Sequence, residues 1–284
     1  MKKRFAAAMA LVMLAGTLTG CGNISHTSIT PVSREDGSGT RGAFVELFGI
    51  EEKDENGDKM DMTTDLAEIT NSTAVMLMTI TGNKNAIGYI SMGSMNEAVK
   101  TLEIDGVEAT FENIKNGSYE IARPFNIAIT EDVSAETQDF INYILSAEGQ
   151  AVVEESGYIS RGNTGAYEAT NATGTVVVSG SSSVAPVVEK IKEAYEATNP
   201  NVSVEMQQSD STTGMNSLKE GMCDIGMASR ELKDSELAAG LEPIVIAMDG
   251  IAIVVNHENS IDSLATEEVR DIFKGVITDW TELQ

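Results

Sequence analysis

Three segments rich in glycine, serine and threonine run directly into amphipathic stretches with helical spacing. They cover residues 34–41 (REDGSGTR), 180–184 (GSSSV) and 209–214 (SDSTTG). At a helix N-terminus the first backbone N–H groups lack partners and the helix dipole presents partial positive charge, so such a segment can bind an anion. Serine and threonine also cap ordinary helices, so each segment alone remains open to that simpler interpretation.

Arg34 adds formal positive charge to the first of these segments. Its planar guanidinium carries two parallel donors that match two oxygens of a phosphate. Asp36 follows two residues later and could orient that guanidinium, and it could also disfavour ligands that lack a proton. The arginine together with the three segments predicts a site for a tetrahedral oxyanion.

Short β-branched runs alternate with amphipathic helical stretches through the rest of the chain. Residues 87–90, 125–129, 175–179 and 203–206 predict strands, and Ser134 is placed to cap a helix. Because strands and helices alternate, the sequence predicts α/β layers with mostly parallel strands. Residues 28–30 predict a short strand that Pro31 limits. The Gly-, Asn- and Thr-containing stretch 157–174 predicts a linker.

Composition and charge exclude several classes of protein. The chain has 284 residues, 42% of them hydrophobic, so it can bury a sizeable core and is not predominantly disordered. Its 19 Lys and Arg residues stand against 44 Asp and Glu residues, a formal charge of −25. Nucleic acid is therefore not expected as a partner, because proteins grip phosphate backbones through Lys and Arg.

The first twenty residues form a segment with a different composition. Lys2, Lys3 and Arg4 precede an apolar run, and Cys21 follows small residues at its end. This layout predicts an export signal over residues 1–20, too short for a comfortable membrane span, and it resembles a bacterial lipoprotein signal. We therefore expect lipidation at Cys21 and an extracytoplasmic protein anchored to the cell membrane. Cys223 is then unpaired, and its apolar neighbours predict a buried, inert thiol.

Neither a metal nor another cofactor is expected. Residues 51–68 imitate a calcium loop, but Lys59 stands where that loop needs glycine and Asp65 replaces its closing glutamate. The simpler interpretation is a hairpin that turns at residues 56–57. The sequence has no cluster with zinc-ligand spacing.

Residues 33–41, 179–184 and 224–230 together resemble the phosphate-binding proteins of bacterial phosphate ABC transporters. The Arg-x-Asp-Gly-Ser-Gly-Thr run is the most specific part, and the resemblance extends over nearly the whole chain after the signal. It implies a two-lobed, type II periplasmic-binding-protein-like α/β fold. It also implies capture of inorganic phosphate and its delivery to the membrane permease and ATPase subunits of a transporter.

The resemblance also implies which residues hold the ligand. The residues that match the family's phosphate loops are Arg34, Ser38, Gly39, Thr40, Ser183, Val184 and Ser211. Asp36 belongs to the same motif. Ser229 lies where some members place an aspartate that accepts the proton of phosphate, and a hydroxyl can also accept a hydrogen bond.

The order of the motifs differs from the family's usual order. The Arg34 segment comes directly after the signal, and what resembles the family's beginning follows what resembles its end, through residues 157–174. This order predicts a circular permutation, which exposed loops and neighbouring chain ends permit. One lobe would then comprise residues 25–122 plus 248–284 and the other residues 123–247, with crossovers near residues 122–124 and 248–250.

Two other functions remain open from the residues. The same scaffold could bind sulfate, molybdate or another oxyanion. A secreted serine hydrolase or phosphatase could use Ser38, but Ser38 lacks the Gly-x-Ser-x-Gly elbow, and His26 and His257 lie in a predicted tail and a polar turn. We therefore expect a binding protein and not an enzyme.

Overall fold

The computed structural model describes residues 27–54 and 59–283, and the predicted signal and Cys21 lie outside these ranges. Within them the strands are β1 (Thr30–Arg34), β2 (Glu51–Lys53), β3 (Lys59–Asp61), β4 (Glu68–Thr70), β5 (Ala86–Ser91), β6 (Lys100–Thr101), β7 (Glu103–Ile104), β8 (Ala122–Ile129), β9 (Gly174–Ser181), β10 (Val202–Ser209), β11 (Ile225–Ala228), β12 (Glu242–Val255) and β13 (Ser263–Leu264).

The α-helices of the same ranges are α1 (Gly39–Leu47), α2 (Thr73–Gly82), α3 (Phe111–Lys115), α4 (Ala135–Leu145), α5 (Ala147–Glu155), α6 (Ala185–Thr198), α7 (Ser211–Lys219), α8 (Asp234–Leu237) and α9 (Thr266–Phe273). Short 3-10 helices cover Met92–Ser94 and Trp280–Leu283. As predicted, Ser134 caps α4, because its side chain accepts a hydrogen bond from the backbone N–H of Thr137. Residues 157–173 contain neither helix nor strand.

Two large hydrophobic cores organise the protein. The first core takes its buried residues from 29–121 and again from 251–280, and the second takes its residues from 125–247. A smaller cluster that includes Met215, Leu218 and Cys223 packs beside the second core. The fold is thus α/β with two lobes, one around each core, while the lobe boundaries stated above stay a prediction.

One path of paired strands connects the two cores. Its order is β10-β9-β11-β8-β12-β5-β1-β4. The path is continuous because β12 is 14 residues long, pairing with β8 over residues 242–250 and with β5 over residues 251–255. Asp249 lies opposite Arg123 in this register. Here the chain passes between the cores.

Strand pairing is mixed, which corrects the prediction of mostly parallel strands. β1 pairs with β4 and β5 in parallel, and β9 does so with β10 and β11. The pairings of β8 with β11 and of β12 with β8 and β5 are antiparallel. The reason is that the chain enters the second core along β8 and leaves it along β12, so these two neighbouring strands run in opposite directions.

Two local predictions have different outcomes. The strand predicted at residues 28–30 instead runs from Thr30 to Arg34, past Pro31, because Val32, Ser33 and Arg34 pair with β4. Strands β2 and β3 pair antiparallel, as a hairpin requires, while the turn at residues 56–57 lies outside the described residues. The continuation of β1 matters for function because it carries Arg34 into the interior.

Candidate functional site

Arg34 ends β1 and is buried, with 2% of its surface exposed. Its Nε and Nη2 donate to the two carboxylate oxygens of Glu35 at 2.8 and 2.7 Å, and Nη2 also donates to Ser182 Oγ at 3.2 Å. The backbone N–H of Arg34 donates to the hydroxyl of Tyr89 at 3.1 Å, and burial raises the pKa of that tyrosine to about 12. The arginine is therefore fixed at both its backbone and its side chain.

The expectation that Asp36 orients Arg34 is wrong. Glu35 holds the guanidinium, whereas the Asp36 carboxylate is 97% exposed and accepts from Arg41 Nη1 at 2.8 Å. The physical reason is the turn in which Ser38 N donates to the carbonyl of Glu35 at 3.0 Å, which directs Asp36 outward. The structure therefore separates Asp36 from the predicted site residues.

A cluster of buried hydroxyls lies beside Arg34. Thr40 Oγ1 is 2.8 Å from Ser183 Oγ and 3.4 Å from Ser229 Oγ. Ser229 Oγ in turn lies 3.5 Å from Ser211 Oγ, and its backbone N–H donates to Ser211 Oγ at 3.1 Å. These four residues were all predicted from the sequence. They come from both lobes, so the cluster bridges the two cores.

The helix N-termini behind this cluster are α1, α6 and α7. Ser38 caps α1 by accepting from Arg41 N, so its hydroxyl supports the helix, while Asp210 caps α7 by accepting from Thr213 N. Val184 precedes α6 and provides no side-chain cap, and its own N–H donates to the carbonyl of Ser181 at 3.1 Å. Three dipoles therefore converge where the predicted loops meet.

Three residues of this cluster were not predicted from the sequence. Ser182 bonds Arg34, Ser181 Oγ donates to Ser229 Oγ at 2.9 Å, and Thr73 Oγ1 lies 3.3 Å from Ser183 Oγ. Ser181 and Ser182 belong to a segment that was recognised, but sequence alone does not tell which serine faces inward. Thr73 begins α2 after the capping residue Ser72. A Ser-Thr pair directly before an apolar run is the signal that could have identified Thr73 from the sequence.

Gly39 and Gly37 bring the two lobes into close contact. A Cβ built on Gly39 would lie 2.4 Å from Ser211 Oγ and 2.8 Å from Ser229 Oγ. A Cβ on Gly37 would lie 2.2 Å from an Asp210 carboxylate oxygen, and the Gly37 carbonyl accepts from Thr212 N at 3.2 Å. The glycines of the first segment thus allow the α1 N-terminus to meet the α7 N-terminus.

The remaining reactive groups lie elsewhere. His257 Nε2 is 2.8 Å from the carbonyl of Glu97, on an exposed turn, and His26 is outside the described residues. Cys223 is buried as predicted, and burial raises its pKa to about 11. Residues 27–54 and 59–283 contain no group of three His, Cys, Asp or Glu side chains that could hold a metal ion, and no helix there is long and apolar enough to cross a membrane.

Known proteins match this chain over nearly its full length. The model of the PBP superfamily domain matches residues 13–148 and 165–284. "Phosphate-binding protein PstS 2" of Streptococcus agalactiae is 56% identical over 277 residues, which cover 96% of this chain and 94% of that protein. The Streptococcus pneumoniae protein of the same name is 43% identical over 286 residues, or 97% of each chain. "Phosphate-binding protein PstS" of Bacillus subtilis is 32% identical over 114 residues, 39% of this chain and 38% of that protein.

A solved structure agrees with these matches. The crystal structure of a phosphate-binding protein of a phosphate ABC transporter from Streptococcus pneumoniae superposes with a TM-score of 0.70 and 43% identity, covering 90% of this chain and all of that one. None of these matches tests the circular permutation, which stays a prediction. The superfamily model and the full-length relatives agree with the resemblance inferred from the loops. The chain therefore belongs to the PBP superfamily and, within it, to the family of phosphate-binding proteins.

Proposed function

We propose that this protein binds inorganic phosphate outside the cytoplasm and delivers it to a phosphate ABC transporter. The observation that carries the proposal is Arg34, a buried arginine held by Glu35 beside a cluster of hydroxyls from both lobes. A charged donor in a desolvated site forms stronger hydrogen bonds to an anion than neutral donors do. Two relatives aligned over almost the whole chain are named as phosphate-binding proteins.

Each residue of the proposed site has a defined role. Arg34 donates to the phosphate through Nη1, which Glu35 does not hold, and the first turns of α1, α6 and α7 supply backbone N–H groups and partial positive charge. The residues whose hydroxyls or backbone would contact phosphate are Ser38, Gly39, Thr40, Ser183, Val184, Ser211 and Ser229. The Ser229 hydroxyl accepts a hydrogen bond from the P–OH group of a protonated phosphate, since a hydroxyl can donate and accept at once. Asp36 takes no part, because it faces solvent.

The protein is a substrate-binding protein and not an enzyme, as its family indicates. Ser38, the nucleophile of the hydrolase alternative, accepts a hydrogen bond from Arg41 N at 3.3 Å. Its hydroxyl thus serves a helix cap. The site requires reversible capture, which neutral hydroxyls and one arginine provide.

Calorimetric titration with phosphate tests the proposal directly. Arg34→Ala should weaken binding by about a hundredfold or more, because removal of a buried charged donor typically costs a few kcal/mol. Arg270→Ala is the control, since the Arg270 side chain lies on α9 and donates to its neighbour Asp271 at 2.9 Å. Equal affinities of the two variants would refute the assignment of Arg34.

A second titration separates phosphate from the other oxyanions. Sulfate, molybdate and arsenate are added at equal concentration to protein carrying labelled phosphate. We expect arsenate to displace phosphate and sulfate to displace it far less, because sulfate has no proton to donate to Ser229 near neutral pH. Displacement by sulfate at the same concentration would favour a general oxyanion receptor.

We propose further that Cys21 carries a lipid that anchors the protein to the cell membrane, where it meets the permease and ATPase subunits. The support is the layout of residues 1–21. Cys21→Ala should move the protein from the membrane fraction to the soluble fraction. Retention of the variant on the membrane would contradict the anchor.

The organisation of the lobes is part of the same proposal. Residues 25–122 plus 248–284 would form one lobe and residues 123–247 the other, in circularly permuted order. The two cores support these boundaries, since their buried residues divide between 121 and 125 and between 247 and 251. The permuted order itself rests on the order of the motifs in the sequence.

A further inference from the structure

A buried ion pair joins the two strands that pass between the lobes. Arg123 on β8 lies opposite Asp249 on β12, and the two are 2% and 0% exposed. Arg123 Nη2 donates to Asp249 Oδ2 at 3.2 Å, and Ser91 Oγ donates to Asp249 Oδ1 at 2.8 Å. The contacts that orient Arg34 do not involve this pair, so it needs an explanation of its own.

The hydrogen-bond donors of Arg123 are incompletely used by the protein. Its Nε and Nη1 are buried and find no hydrogen-bond partner in the described residues, and neither does the hydroxyl of Tyr158. The guanidinium carbon lies 5.3 Å from the centre of the Phe125 ring, which gives weak stabilisation only. A buried arginine with free donors is costly unless an anion nearby benefits from its charge.

Strand register places this pair near Arg34. Pro31 on β1 pairs with Ile87 on β5, and Ser91 on β5 pairs with Ile251 on β12. Arg34 and Ser91 therefore end neighbouring parallel strands at the same edge. β1 and β12 are two strand spacings apart, about 10 Å. Burial lowers the pKa of Arg123, and the negative charge of Asp249 raises it. The positive charge of Arg34 lowers it further, so the two arginines repel each other electrostatically.

We propose that the Arg123–Asp249 pair sets the electrostatic potential at the floor of the phosphate site, with Arg123 attracting the bound anion and Asp249 limiting that attraction. This inference rests on the proposed binding of phosphate at Arg34. An ionised Asp249 nearly cancels Arg123 as seen by the ligand. Removal of the Asp249 charge should therefore raise phosphate affinity and removal of the Arg123 charge should lower it, although both changes break the same ion pair.

Asp249 also makes the potential depend on pH. Burial raises its pKa to about 6, against the opposing effects of Arg123, Ser91 and the backbone N–H of Gly93. Tyr158 is the other titratable group that faces it, and burial keeps that hydroxyl protonated by raising its pKa. As the pH falls through about 6, Asp249 takes up a proton and the pair changes from neutral to a net charge of +1.

The test measures phosphate affinity of Asp249→Asn and Arg123→Gln by calorimetry at pH 8 and pH 5. At pH 8 we expect Asp249→Asn to bind phosphate more tightly and Arg123→Gln more weakly than the parent, each by roughly tenfold for one charge at this distance. At pH 5 the parent already carries a protonated Asp249, so its affinity should approach that of Asp249→Asn. Asparagine keeps the shape of a protonated aspartate, so Asp249→Asn is the milder change. Its comparison with the parent decides the test if Arg123→Gln does not fold.

Asp139→Asn is the matched control. Asp139 is another buried aspartate, and it accepts hydrogen bonds from the hydroxyls of Tyr167 and Tyr195 at 2.8 Å each. Tyr195 lies eleven residues beyond Val184 along α6, which places this cluster about 16 Å from the site. It should lower thermal stability and leave phosphate affinity unchanged.

The outcomes separate this inference from the proposed function. The electrostatic role would be overturned, and a structural role left, by weaker or unchanged binding of Asp249→Asn at pH 8. A difference in affinity between Asp249→Asn and the parent that persists at pH 5 would have the same consequence. Absence of phosphate binding by the parent would refute the proposed function, and this inference with it. Opposite shifts of the two variants at pH 8, with Asp249→Asn converging on the parent at pH 5 while Arg123→Gln stays weaker, would support it.

Discussion

Gly39→Ala should block the contact between the lobes at the phosphate site. Gly39 is the first residue of α1, and an added Cβ would lie 2.4 Å from Ser211 Oγ and 2.8 Å from Ser229 Oγ. An ordinary contact needs about 3.4 Å or more, so either the two serines rotate or the lobes separate by about 1 Å. Both adjustments disturb the hydroxyl cluster.

The size of the effect follows from the bonds that would break. Rotation of Ser211 removes the acceptor of the Ser229 N–H, now 3.1 Å away, and a buried N–H left without a partner costs about 1–3 kcal/mol. That range corresponds to a loss of affinity of roughly five- to 150-fold. We therefore expect the phosphate Kd of Gly39→Ala to rise about thirtyfold, near the middle of that range.

Gly42→Ala provides the control on the same helix. A Cβ on Gly42 meets nothing within 4 Å, and the residue is exposed. This variant should gain about 0.5–1 kcal/mol in free energy of unfolding from helix propensity and keep its phosphate affinity. Calorimetry gives the affinities and thermal denaturation gives the stabilities. If Gly39→Ala bound phosphate as tightly as Gly42→Ala, the close approach of α1 to Ser211 would have no part in binding.

Two further predictions concern pH and salt. Burial alone would raise the pKa of Glu236, but hydrogen bonds from Arg230 and from Lys233 N outweigh burial and hold the pKa below its usual range. Ionised Glu236 therefore stabilises the fold above about pH 4.3, and this contribution is lost as the pH falls through the pKa of the folded state. Glu236→Gln should therefore lower the melting temperature at pH 7, with a difference from the parent that shrinks in acid; a constant difference would contradict this. Phosphate affinity should depend weakly on the sodium chloride concentration, because the site binds the ligand at contact distance. The rate of association should rise as sodium chloride is added, because salt screens the repulsion between phosphate and a chain of net charge −25. A steep loss of affinity with salt would indicate an exposed basic patch instead.

The sequence predicted most of the groups in the site because their signals are local. Ser38 and Ser134 cap helices as serine does at the start of an apolar periodic run, and the three small-residue segments mark helix N-termini. Thr40, Ser183, Ser211 and Ser229 were identified from the motifs that contain them, and the structure brings their hydroxyls together.

The partners of these groups were harder to predict. Asp36 was considered as a group that could orient Arg34, but the turn at Ser38 directs Asp36 outward and Glu35 binds the guanidinium. Thr73 joins Ser183 across 110 positions of the chain, and Arg123 meets Asp249 across 126. No periodicity connects residues so far apart, because a repeat pattern reports only the face of its own helix or strand.

The sequence thus determined the chemistry of the site, through the donors of Arg34 and the hydroxyls of the three segments rich in glycine, serine and threonine. What only the tertiary structure decided is which of those donors share a space. Strand β12 continues from one lobe to the other, and its register with β8 and β5 sets Asp249 against Arg123 and near Arg34. Register is fixed by the packing of two cores at once, and the electrostatic potential at the site follows from distances that this packing creates.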